Sequence, residues 1–571
     1  MTAANAGWLA KRQQLQDRFE SLHRIRDASQ FAYMRGQEQS FSEAQVRDMW
    51  AAAATHSMPG TLEPRNHVYI HVPFCKSICA FCNYERLKPS NPDLIKGWLK
   101  RVLGSLATIG PAVAPLTFHS LYIGGGTPVI LPANVLDQLL TAVFETLNFA
   151  EGSGRHIELD PAVVSASRLD VLQKHGFRRY SFGIQTLDAG VNTIHNRGPQ
   201  GKEMVDNCFT ALHERGLNRV TCDFLIGLHG TTPQQTLADL EYVLDVHKPM
   251  SIDIFALVPT ESYVDKLFAG DTQAFWRHIG PFQEIVPKAL PELCERFGYH
   301  LMEEGGHRYT LHRQINDEFA AKYSYTQLVS EQQRPLNLLG LGTSARSQIF
   351  QEAAFQYRDP DENPAAEGEA FYEGHVVPPE TEVRTYLIHQ FRDRGYVRDD
   401  EFQAIFGKTL REAVGIPIGA WESLELAKVD DQRIQMPEQD GPARAKTLLW
   451  LVPDAMLEYE VGRIQGIDLT HDGVTTVFRD IPIGTEIAPG FRFWGVREGR
   501  IVLKGDDYKI KLRLAPPLTS GKPLRIVVET PPPPQAIPSL TLAVKKLRGM
   551  ATRMIGIRGR EAPRYAQTGP E

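Results

Sequence analysis

Short apolar runs alternate with longer helical patterns between residues 67 and 257, and this alternation restricts the fold more than any other feature of the chain. Because a helix between two strands returns the chain to the same edge of a sheet, this order is typical of parallel βα units. The six predicted strands are HVYIHV from His67, HSLYIG from His119, HIEL from His156, RYSFGIQ from Arg179, RVTCDFLIG from Arg219 and SIDIFAL from Ser251. Six such units predict an α/β fold, a partial (β/α)6 barrel, whose chemistry lies on the loops after the carboxyl ends of the strands.

The composition changes several times outside this region. The segment WLAKRQQLQDRFESLHRI has apolar residues at helical spacing, RDPDENPAAEGE is loop-like, and runs such as TTVFRDI and KIKLRLA alternate apolar with polar residues as strands do. We therefore expect further helices around the barrel and an appended β module. The predicted domains are a helical N-terminal extension (1–62), the barrel domain with an accessory segment (63–350), a linker (351–378), a C-terminal helical domain (379–462), the β module (463–530) and a Pro-rich linker with a basic tail (531–571).

Charge and composition restrict the partners of the chain. Its 571 residues have a formal net charge of -6, which is small for this length, so we expect no nucleic-acid partner. The first residues contain no apolar core of signal-peptide length, and no later run approaches a membrane span, which predicts a cytoplasmic location. The basic tail contains Lys545, Lys546 and Arg548 among apolar residues, but glycines interrupt it, so a solvated or docking terminus is favoured over membrane contact.

Three of the six cysteines are gathered in one short segment. Cys75, Cys79 and Cys82 form a C-x3-C-x2-C array directly after the first predicted strand. Thiolates are the usual ligands of iron–sulfur clusters, and three of them leave one iron of a four-iron cluster open to an exogenous ligand. A zinc site completed by His71 and three unmetallated buried thiols are the alternatives that the spacing leaves open. The isolated cysteines Cys208, Cys222 and Cys294 are expected to be small buried apolar residues.

The motifs around this array extend the interpretation. The segments YIHVPFCKSICAFC, YIGGGTP, IELDP, SFGIQTLD, NRG and CDFLIGLHG occur in this order. Together they resemble the radical S-adenosylmethionine (SAM) superfamily. Within it, the chain is similar to the oxygen-independent coproporphyrinogen III oxidase-like family, which also contains haem chaperones and class C radical SAM methyltransferases. The resemblance covers about residues 66–350 and continues more weakly to about residue 455.

The resemblance implies cofactors and a set of site residues. A 4Fe–4S cluster would be held by the three cysteines, SAM would chelate its open iron, and an electron from a donor such as flavodoxin or ferredoxin would yield a 5′-deoxyadenosyl radical. Tyr69 and Glu158 are the implied catalytic residues, near the sulfonium and the methionyl amine respectively, and Arg197 would pair with the methionyl carboxylate. The implied SAM-binding residues are Tyr69, Phe81, Gly125, Gly126, Thr127, Glu158, Gln185, Arg197, Asp223 and Ala256.

Departures from the family pattern indicate which reaction to expect. The oxidases continue the cysteine motif as C-x2-C-G-C-N, whereas here Asn83 follows Cys82. The haem chaperones usually carry an H-N-x-x-Y-W segment, and the corresponding region here reads INDEFAAKYSYTQ, in which Tyr323 and Tyr325 are candidate substrate contacts. The segment GLGTSARS resembles a part of the family that shapes a second SAM or cofactor pocket, and its Arg346 replaces an apolar residue of the oxidases.

These features predict an enzyme that methylates or alkylates an sp2 carbon of an aromatic, heterocyclic or tetrapyrrole small molecule with a second SAM. Two alternatives remain open. One is a haem- or tetrapyrrole-binding, chaperone-like protein, and the other is a different radical rearrangement in specialised metabolism.

Overall fold

The chain forms two compact units in a computed structural model, Arg26–Leu451 and Met1–Ile25 with Val452–Glu571. No helix among the described residues is long and apolar enough to cross a membrane. Tyr323, Tyr325, Asn83 and the tail after residue 547 lie outside the described residues. The described residues are 3–22, 39–55, 59–62, 64–82, 84–89, 91–257, 260–304, 308–313, 336–359, 371–430, 432–437, 441–458, 484–497, 500–505, 509–515, 525–528, 539–540 and 542–547.

Six parallel strands form the centre of the larger unit, and they coincide with the six predicted ones. They are β2 (Arg65–Val72), β3 (Phe118–Gly125), β4 (Phe149–Leu159), β5 (Arg179–Gln185), β6 (Arg219–Ile226) and β7 (Ser251–Ala256), each paired in parallel with the next. The helices between them are α3 (Pro92–Val113), α4 (Ala133–Thr146), α5 (Ala166–Lys174), α6 (Ala189–Ile194), α7 (Lys202–His213) and α8 (Pro233–Tyr242). The predicted partial α/β barrel is confirmed.

Further strands extend this sheet to thirteen, mostly in antiparallel pairs that the sequence pattern did not predict. A hairpin follows β7 at one edge, and a strand parallel to β2 leads to an antiparallel group at the other edge. The hairpin consists of β8 (Tyr299–Glu304) and β9 (Arg308–Arg313), and the other edge consists of β10 (Leu336–Leu341), β11 (Arg346–Ile349), β12 (Ala353–Arg358), β13 (Phe371–Val376) and β1 (Gln39–Ser42).

The side chains of β2 point alternately into the hydrophobic core and toward the candidate site. Val68, Ile70 and Val72 are fully buried in the main hydrophobic core, which also contains Trp98 of α3. Because successive side chains of a strand point to opposite faces, Tyr69 lies on the other side, in a separate small cluster. The outer face of β2 therefore packs against helices, and its inner face carries the polar and aromatic groups of the site.

Smaller elements complete both units. The larger unit also contains α2 (Glu43–Ala53), α9 (Glu261–Leu267), α10 (Thr272–Phe297), α11 (Pro379–Arg394), α12 (Asp399–Phe406), α13 (Leu410–Ser423), α14 (Gly441–Leu449) and the short strands β14 (Tyr396–Arg398), β15 (Lys428–Val429) and β16 (Arg433–Gln435). The smaller unit contains α1 (Ala3–Leu22) and an antiparallel sheet of β17 (Glu486–Ala488), β18 (Phe491–Arg497), β19 (Arg500–Lys504), β20 (Lys509–Ala515) and β21 (Arg525–Val528). The predicted domain boundaries stay predictions.

A buried ion pair joins the two sequence segments of the smaller unit. Arg12 of α1 is almost fully buried and pairs with Asp454. Its Nη2 also donates to the carbonyl oxygen of Val452 at 2.6 Å, and Trp8 donates from its indole nitrogen to Asp454 at 3.0 Å. Helix α1 is therefore held against the segment that follows the larger unit in sequence.

Candidate active site

The three cysteines of the predicted array lie on a loop that begins where β2 ends. The loop closes on itself, because Cys75 N donates to Leu87 O at 2.9 Å and Leu87 N donates to Pro73 O at 2.6 Å. All three thiols are free and half-buried. Burial raises the pKa of Cys75 to about 11, so this thiol stays protonated near neutral pH unless a metal ion binds it.

The glycine segment after β3 packs directly against this cysteine loop. Gly126 N donates to Val72 O and Thr127 N donates to Phe74 O, both at 2.7 Å. A Cβ atom on Gly126 would lie 2.8 Å from the sulfur of Cys75, so a side chain does not fit there. The hydroxyl of Thr127 lies 3.8 Å from the same sulfur. The glycine is thus required for the close approach of the two loops.

A third segment, His195–Arg197, holds the cysteine loop from the other side. Ala80 N donates to His195 O at 2.9 Å, and the side-chain amide of Asn196 donates to Ile78 O at 2.8 Å. Arg197 places Nη1 3.9 Å from the sulfur of Cys79. The sequence predicted Arg197 as a ligand-binding residue, but it gave no sign that its two neighbours fix the loop.

Arg197 remains charged although it is buried. Burial lowers its pKa, but the nearby Asp160 and Cys79 more than offset this, so that the pKa is raised overall. Its Nη2 donates to Gly183 O at 2.7 Å, whereas its Nε has no partner in the described part of the protein. A buried guanidinium with an unused donor is suited to bind a carboxylate.

Glu158 lies on the inner side of β4 with both carboxylate oxygens occupied. The hydroxyl of Tyr122 donates to Oε1 at 2.5 Å, and the backbone N–H of Gly125 donates to Oε2 at 3.1 Å. Burial raises the pKa of Glu158 to about 7, and these two hydrogen bonds lower it only in part. The carboxylate is therefore poised between its two protonation states near neutral pH.

Tyr69 and His71 form a buried pair on β2. The hydroxyl of Tyr69 lies 2.9 Å from His71 Nδ1, and His71 Nε2 lies 3.0 Å from the carbonyl oxygen of Glu85. Because a carbonyl only accepts, Nε2 carries the proton and Nδ1 accepts from Tyr69. Both ring nitrogens of His71 are thus occupied by other partners, which removes the support for a zinc site completed by this residue. Among the described residues, no group of His, Cys, Asp and Glu is arranged to hold a single metal ion.

Acidic residues continue across the neighbouring strands. Asp223 on β6 stands opposite Asp253 on β7, which in turn stands opposite Thr310 on β9. Burial, Asp253 and Glu158 together raise the pKa of Asp223 to about 8. Asp253 accepts a hydrogen bond of 2.6 Å from Thr310 and lies 3.3 Å from the guanidinium of Arg308. The sequence reasoning missed this ion pair, although an aspartate within the apolar run SIDIFAL was a signal for it.

Gln185, the last residue of β5, has a backbone conformation that few residues other than glycine adopt. Its φ is 67°, and its Oε1 is buried without a hydrogen-bond partner in the described part of the chain. A strained backbone and an unused acceptor are features that ligand-binding residues often have. The role of Gln185 in binding SAM stays a proposal.

An apolar cluster adjoins Phe81 and, through the next residue in sequence, Ala256. Phe81 packs against the cluster that contains Ala80, Leu257 and Tyr263, and Leu257 directly follows Ala256 at the end of β7. These residues form an apolar wall beside the cysteine loop. Such a wall is suited to a flat ring such as adenine.

Arg346 lies further from the cysteines, at the start of β11. Ala345 packs in one cluster with Tyr69, Tyr122 and Leu338, and Arg346 beside it is exposed. Leu338 stands opposite Gln348, so Gln348, and Arg346 two residues before it, share the inner face of the sheet. The inner face thus continues from Tyr69 to Arg346 without a break.

Comparison with known proteins shows which kind of domain contains these residues. The family model described as "Radical SAM superfamily" matches residues 69–243. The chain carries a radical SAM domain. That domain includes all three cysteines, Gly125–Thr127, Glu158 and the later polar residues up to Asp223.

Relatives of this radical SAM domain include two kinds of curated protein. An oxygen-independent coproporphyrinogen III oxidase of Paracoccus denitrificans is 27% identical over 210 residues, which cover 35% of this chain and 46% of that protein. The heme chaperone HemW of Bacillus subtilis is 22% identical over 363 residues, covering 60% of this chain and 87% of that protein. The chain thus spans less than half the length of the oxidase.

A solved structure shows the same fold. The coproporphyrinogen III oxidase HemN of Escherichia coli has a TM-score of 0.57 at 18% identity and covers 72% of this chain and 94% of its own. This likeness extends the shared fold beyond the radical SAM domain.

The residues fit the cofactors of a radical SAM domain, a 4Fe–4S cluster and SAM. Three free thiols on one loop suit a cluster with an open iron. Nε of Arg197 is an unused donor that suits a ligand carboxylate, and Oε1 of Gln185 is an unused acceptor that suits a ligand hydroxyl. The individual roles of the predicted site residues remain proposals.

Proposed function

We propose that this chain is a radical SAM enzyme that methylates or alkylates an sp2 carbon of an aromatic, heterocyclic or tetrapyrrole substrate. When bound, the reduced cluster and SAM supply a 5′-deoxyadenosyl radical, and a second SAM supplies the carbon that is transferred. An external electron donor, such as a flavodoxin or ferredoxin, is part of this proposal.

Each residue of the candidate site would have its own role in binding the cluster and SAM. Cys75, Cys79 and Cys82 would hold the cluster, and the guanidinium of Arg197 would donate hydrogen bonds to the methionyl carboxylate. Glu158 receives the methionyl ammonium, which stabilises the charged form of the carboxylate and so lowers its pKa from about 7 when SAM binds. Asp223 and Gln185 accept hydrogen bonds from the ribose hydroxyls, and the wall around Phe81 excludes water from the adenine.

The observation that supports a second ligand is the continuous inner face between Tyr69 and Arg346. Ala345 contributes a small side chain to the cluster with Tyr69 and Tyr122, and Arg346 presents an exposed guanidinium directly beside it. The turn is held in place from behind, because Thr343 donates to Asp359 at 2.5 Å and Arg101 lies 3.3 Å from the same carboxylate. A fixed turn that is followed directly by a cation is suited to bind the carboxylate of a second SAM or of the substrate.

The difference from the oxidases supports the same conclusion. Asn83 follows Cys82 where the oxidase motif continues with Gly and a further cysteine. Because the further cysteine of the oxidase motif is missing here, we do not assign the oxidase reaction to this chain.

Anaerobic turnover with SAM that carries a deuterated methyl group tests the proposal. The reconstituted, dithionite-reduced protein is supplied with a small-molecule extract, and 5′-deoxyadenosine, S-adenosylhomocysteine and labelled products are measured by mass spectrometry. We expect both SAM-derived products together with a labelled small molecule, and neither in a Cys79→Ala variant. Formation of 5′-deoxyadenosine without S-adenosylhomocysteine contradicts the use of two SAM molecules and favours a different radical rearrangement.

A haem- or tetrapyrrole-binding function is the second candidate. It is favoured by the match to the heme chaperone of Bacillus subtilis, which covers 87% of that protein. Titration with haem separates the two candidates, because a carrier binds haem stoichiometrically with a spectral change, whether or not it cleaves SAM. The absence of saturable haem binding contradicts this second candidate.

A further inference from the structure

A buried hydroxyl group joins the segments that follow β5, β6 and β7. The hydroxyl of Tyr263 in α9 lies 2.9 Å from His195 Nε2, and it accepts a hydrogen bond of 2.8 Å from the backbone N–H of His229. His195 follows β5 and α6, His229 follows β6, and Tyr263 follows β7. Tyr263 and His195 are both fully buried. One side chain thus connects three segments at the carboxyl ends of neighbouring parallel strands.

The direction of each hydrogen bond follows from the groups around His195. Its Nδ1 lies 2.8 Å from the carbonyl oxygen of Val191, which only accepts, so Nδ1 carries the ring proton. Burial lowers the pKa of His195, so the ring is neutral near neutral pH and Nε2 is an acceptor. The hydroxyl of Tyr263 therefore donates to Nε2 and accepts from His229. Both nitrogens of the ring and the hydroxyl are thus hydrogen-bonded.

The backbone of the same segment holds the cysteine loop. The carbonyl oxygen of His195 accepts from the N–H of Ala80, which lies within the cysteine array. Asn196, directly after it, has a left-handed backbone conformation with a φ of 57° and donates to the carbonyl oxygen of Ile78. His195 is therefore bonded through its ring to α9 and through its carbonyl group to the cysteine loop. A displacement of the ring relative to α9 is passed on directly to that loop.

The surroundings of Tyr263 give its hydroxyl a role beyond packing. The ring of Tyr263 belongs to an apolar cluster that also contains Ala80 and Leu257 and packs against Phe81. A phenylalanine would fill nearly the same space, and a hydroxyl is costly to bury unless it is hydrogen-bonded. Leu257 directly follows Ala256 at the end of β7, so the cluster includes the apolar wall suited to adenine. The hydroxyl thus links this wall to the loop that carries the thiols.

We propose that Tyr263 is a positioning residue, which acts through His195 to hold the cysteine loop in a fixed position relative to the apolar wall. The loop and the wall would hold opposite ends of SAM, its amino-acid part at the open iron and its adenine at the wall. A displaced loop then weakens SAM binding even when the three thiols still hold the cluster, because the two contacts no longer fit one ligand. The proposal rests on the cofactors of the radical SAM domain and is independent of the methyl transfer proposed above.

Electron paramagnetic resonance of the reconstituted, dithionite-reduced protein tests this proposal without any substrate. SAM is added stepwise, and the change that it causes in the cluster signal gives the SAM concentration at half-saturation. Tyr263→Phe keeps the apolar ring but removes the hydroxyl, so we expect nearly unchanged iron content and a half-saturating concentration raised by about fivefold or more. His195→Leu should have the same effect, whereas His195→Gln, whose amide oxygen can accept from Tyr263, should retain most of the SAM response.

A matched control and a double variant separate this role from stability. Tyr299→Phe also removes a buried hydroxyl, which donates to the carbonyl oxygen of Pro249 at 2.6 Å, and it should leave the SAM response unchanged. The double variant Tyr263→Phe/His195→Leu should bind SAM no more weakly than His195→Leu alone, because both changes break the same connection. Thermal unfolding checks that each variant is folded.

The outcomes that overturn the proposal are specific. An unchanged half-saturating concentration in Tyr263→Phe overturns it, even if the melting temperature falls, because the hydroxyl is then merely structural. Additive effects in the double variant overturn it as well, since Tyr263 then does not act through His195. Should Tyr263→Phe fail to fold or to bind iron, the two His195 variants decide. A SAM response that His195→Gln retains and His195→Leu loses supports the proposal, and equal responses overturn it.

Discussion

The hydroxyl of Tyr122 donates a 2.5 Å hydrogen bond to the carboxylate of Glu158, so a tyrosine on one strand controls the charge of an acid on the next. This hydrogen bond favours the ionised form of Glu158 and opposes the effect of burial. The balance between the two sets the pKa of about 7. It also determines how readily the site accepts a cation.

The variant Tyr122→Phe should raise the pKa of Glu158 further, because the charged form loses a donor. At pH 7 more of the carboxylate is then protonated, so SAM binding should weaken by about three- to tenfold and recover as the pH rises. Equilibrium dialysis of SAM between pH 6 and 9 measures this shift. Tyr180→Phe is the control, since Tyr180 is also buried but donates to the backbone of Phe177. An identical pH profile for Tyr122→Phe and the unmodified protein contradicts the prediction.

The protein without cofactors should become less stable as the pH rises from about 4 to 8. Glu158 has an ordinary pKa of 4.5 and a folded value of about 7, and Asp223 has 3.8 and about 8. The folded state therefore binds more protons than the unfolded state in this range, and the free energy of unfolding falls as these groups ionise. The ionisation of Glu158 alone lowers the free energy of unfolding by about 3 kcal/mol at most.

Chemical denaturation at a series of pH values measures this slope. Glu158→Gln and Asp223→Asn should each flatten it, since neither amide ionises. A slope that both variants leave unchanged shows that other groups cause the pH dependence.

The variant Gly126→Ala should lose the cluster. Its Cβ would lie 2.8 Å from the sulfur of Cys75, so either the cysteine loop or the glycine segment must move. We expect iron content and iron–sulfur absorption after reconstitution to fall by about fivefold or more, because ligand geometry is strict. Gly104→Ala in α3 meets no atom within 4 Å and serves as the control, which should load iron normally. Full loading of Gly126→Ala argues against the close contact of the two segments.

Arg308→Met should destabilise the protein by about 3 kcal/mol, because it leaves Asp253 as a buried charge without its ion-pair partner. The double variant Arg308→Met/Asp253→Asn should recover most of this loss. Thermal or denaturant unfolding of the two single variants and the double variant provides the test as a double-mutant cycle. Additive effects mean that the two residues are not coupled.

Several features of the site were predictable because they are local in sequence. The cysteine array, the glycine segment and the order of strands and helices are read from neighbouring residues, and the six barrel strands were found in this way. Residues such as Asp253, Arg308 and Thr310 were missed, because their role depends on which strand lies beside which. Strand β9 joins β7 only after a long helix and a hairpin, and no local pattern encodes that pairing.

The sequence by itself determined the strand and helix pattern, the three thiols and the kind of domain, since each of these is recorded in short runs of residue types. Only the tertiary structure decided the environment of each group. Burial and two hydrogen bonds set the pKa of Glu158, burial and the neighbouring acids raise the pKa of Asp223, and the segment at His195–Arg197 fixed the cysteine loop. The physical reason is that desolvation and Coulomb interactions depend on distance in space, which the chain acquires only when its strands pair.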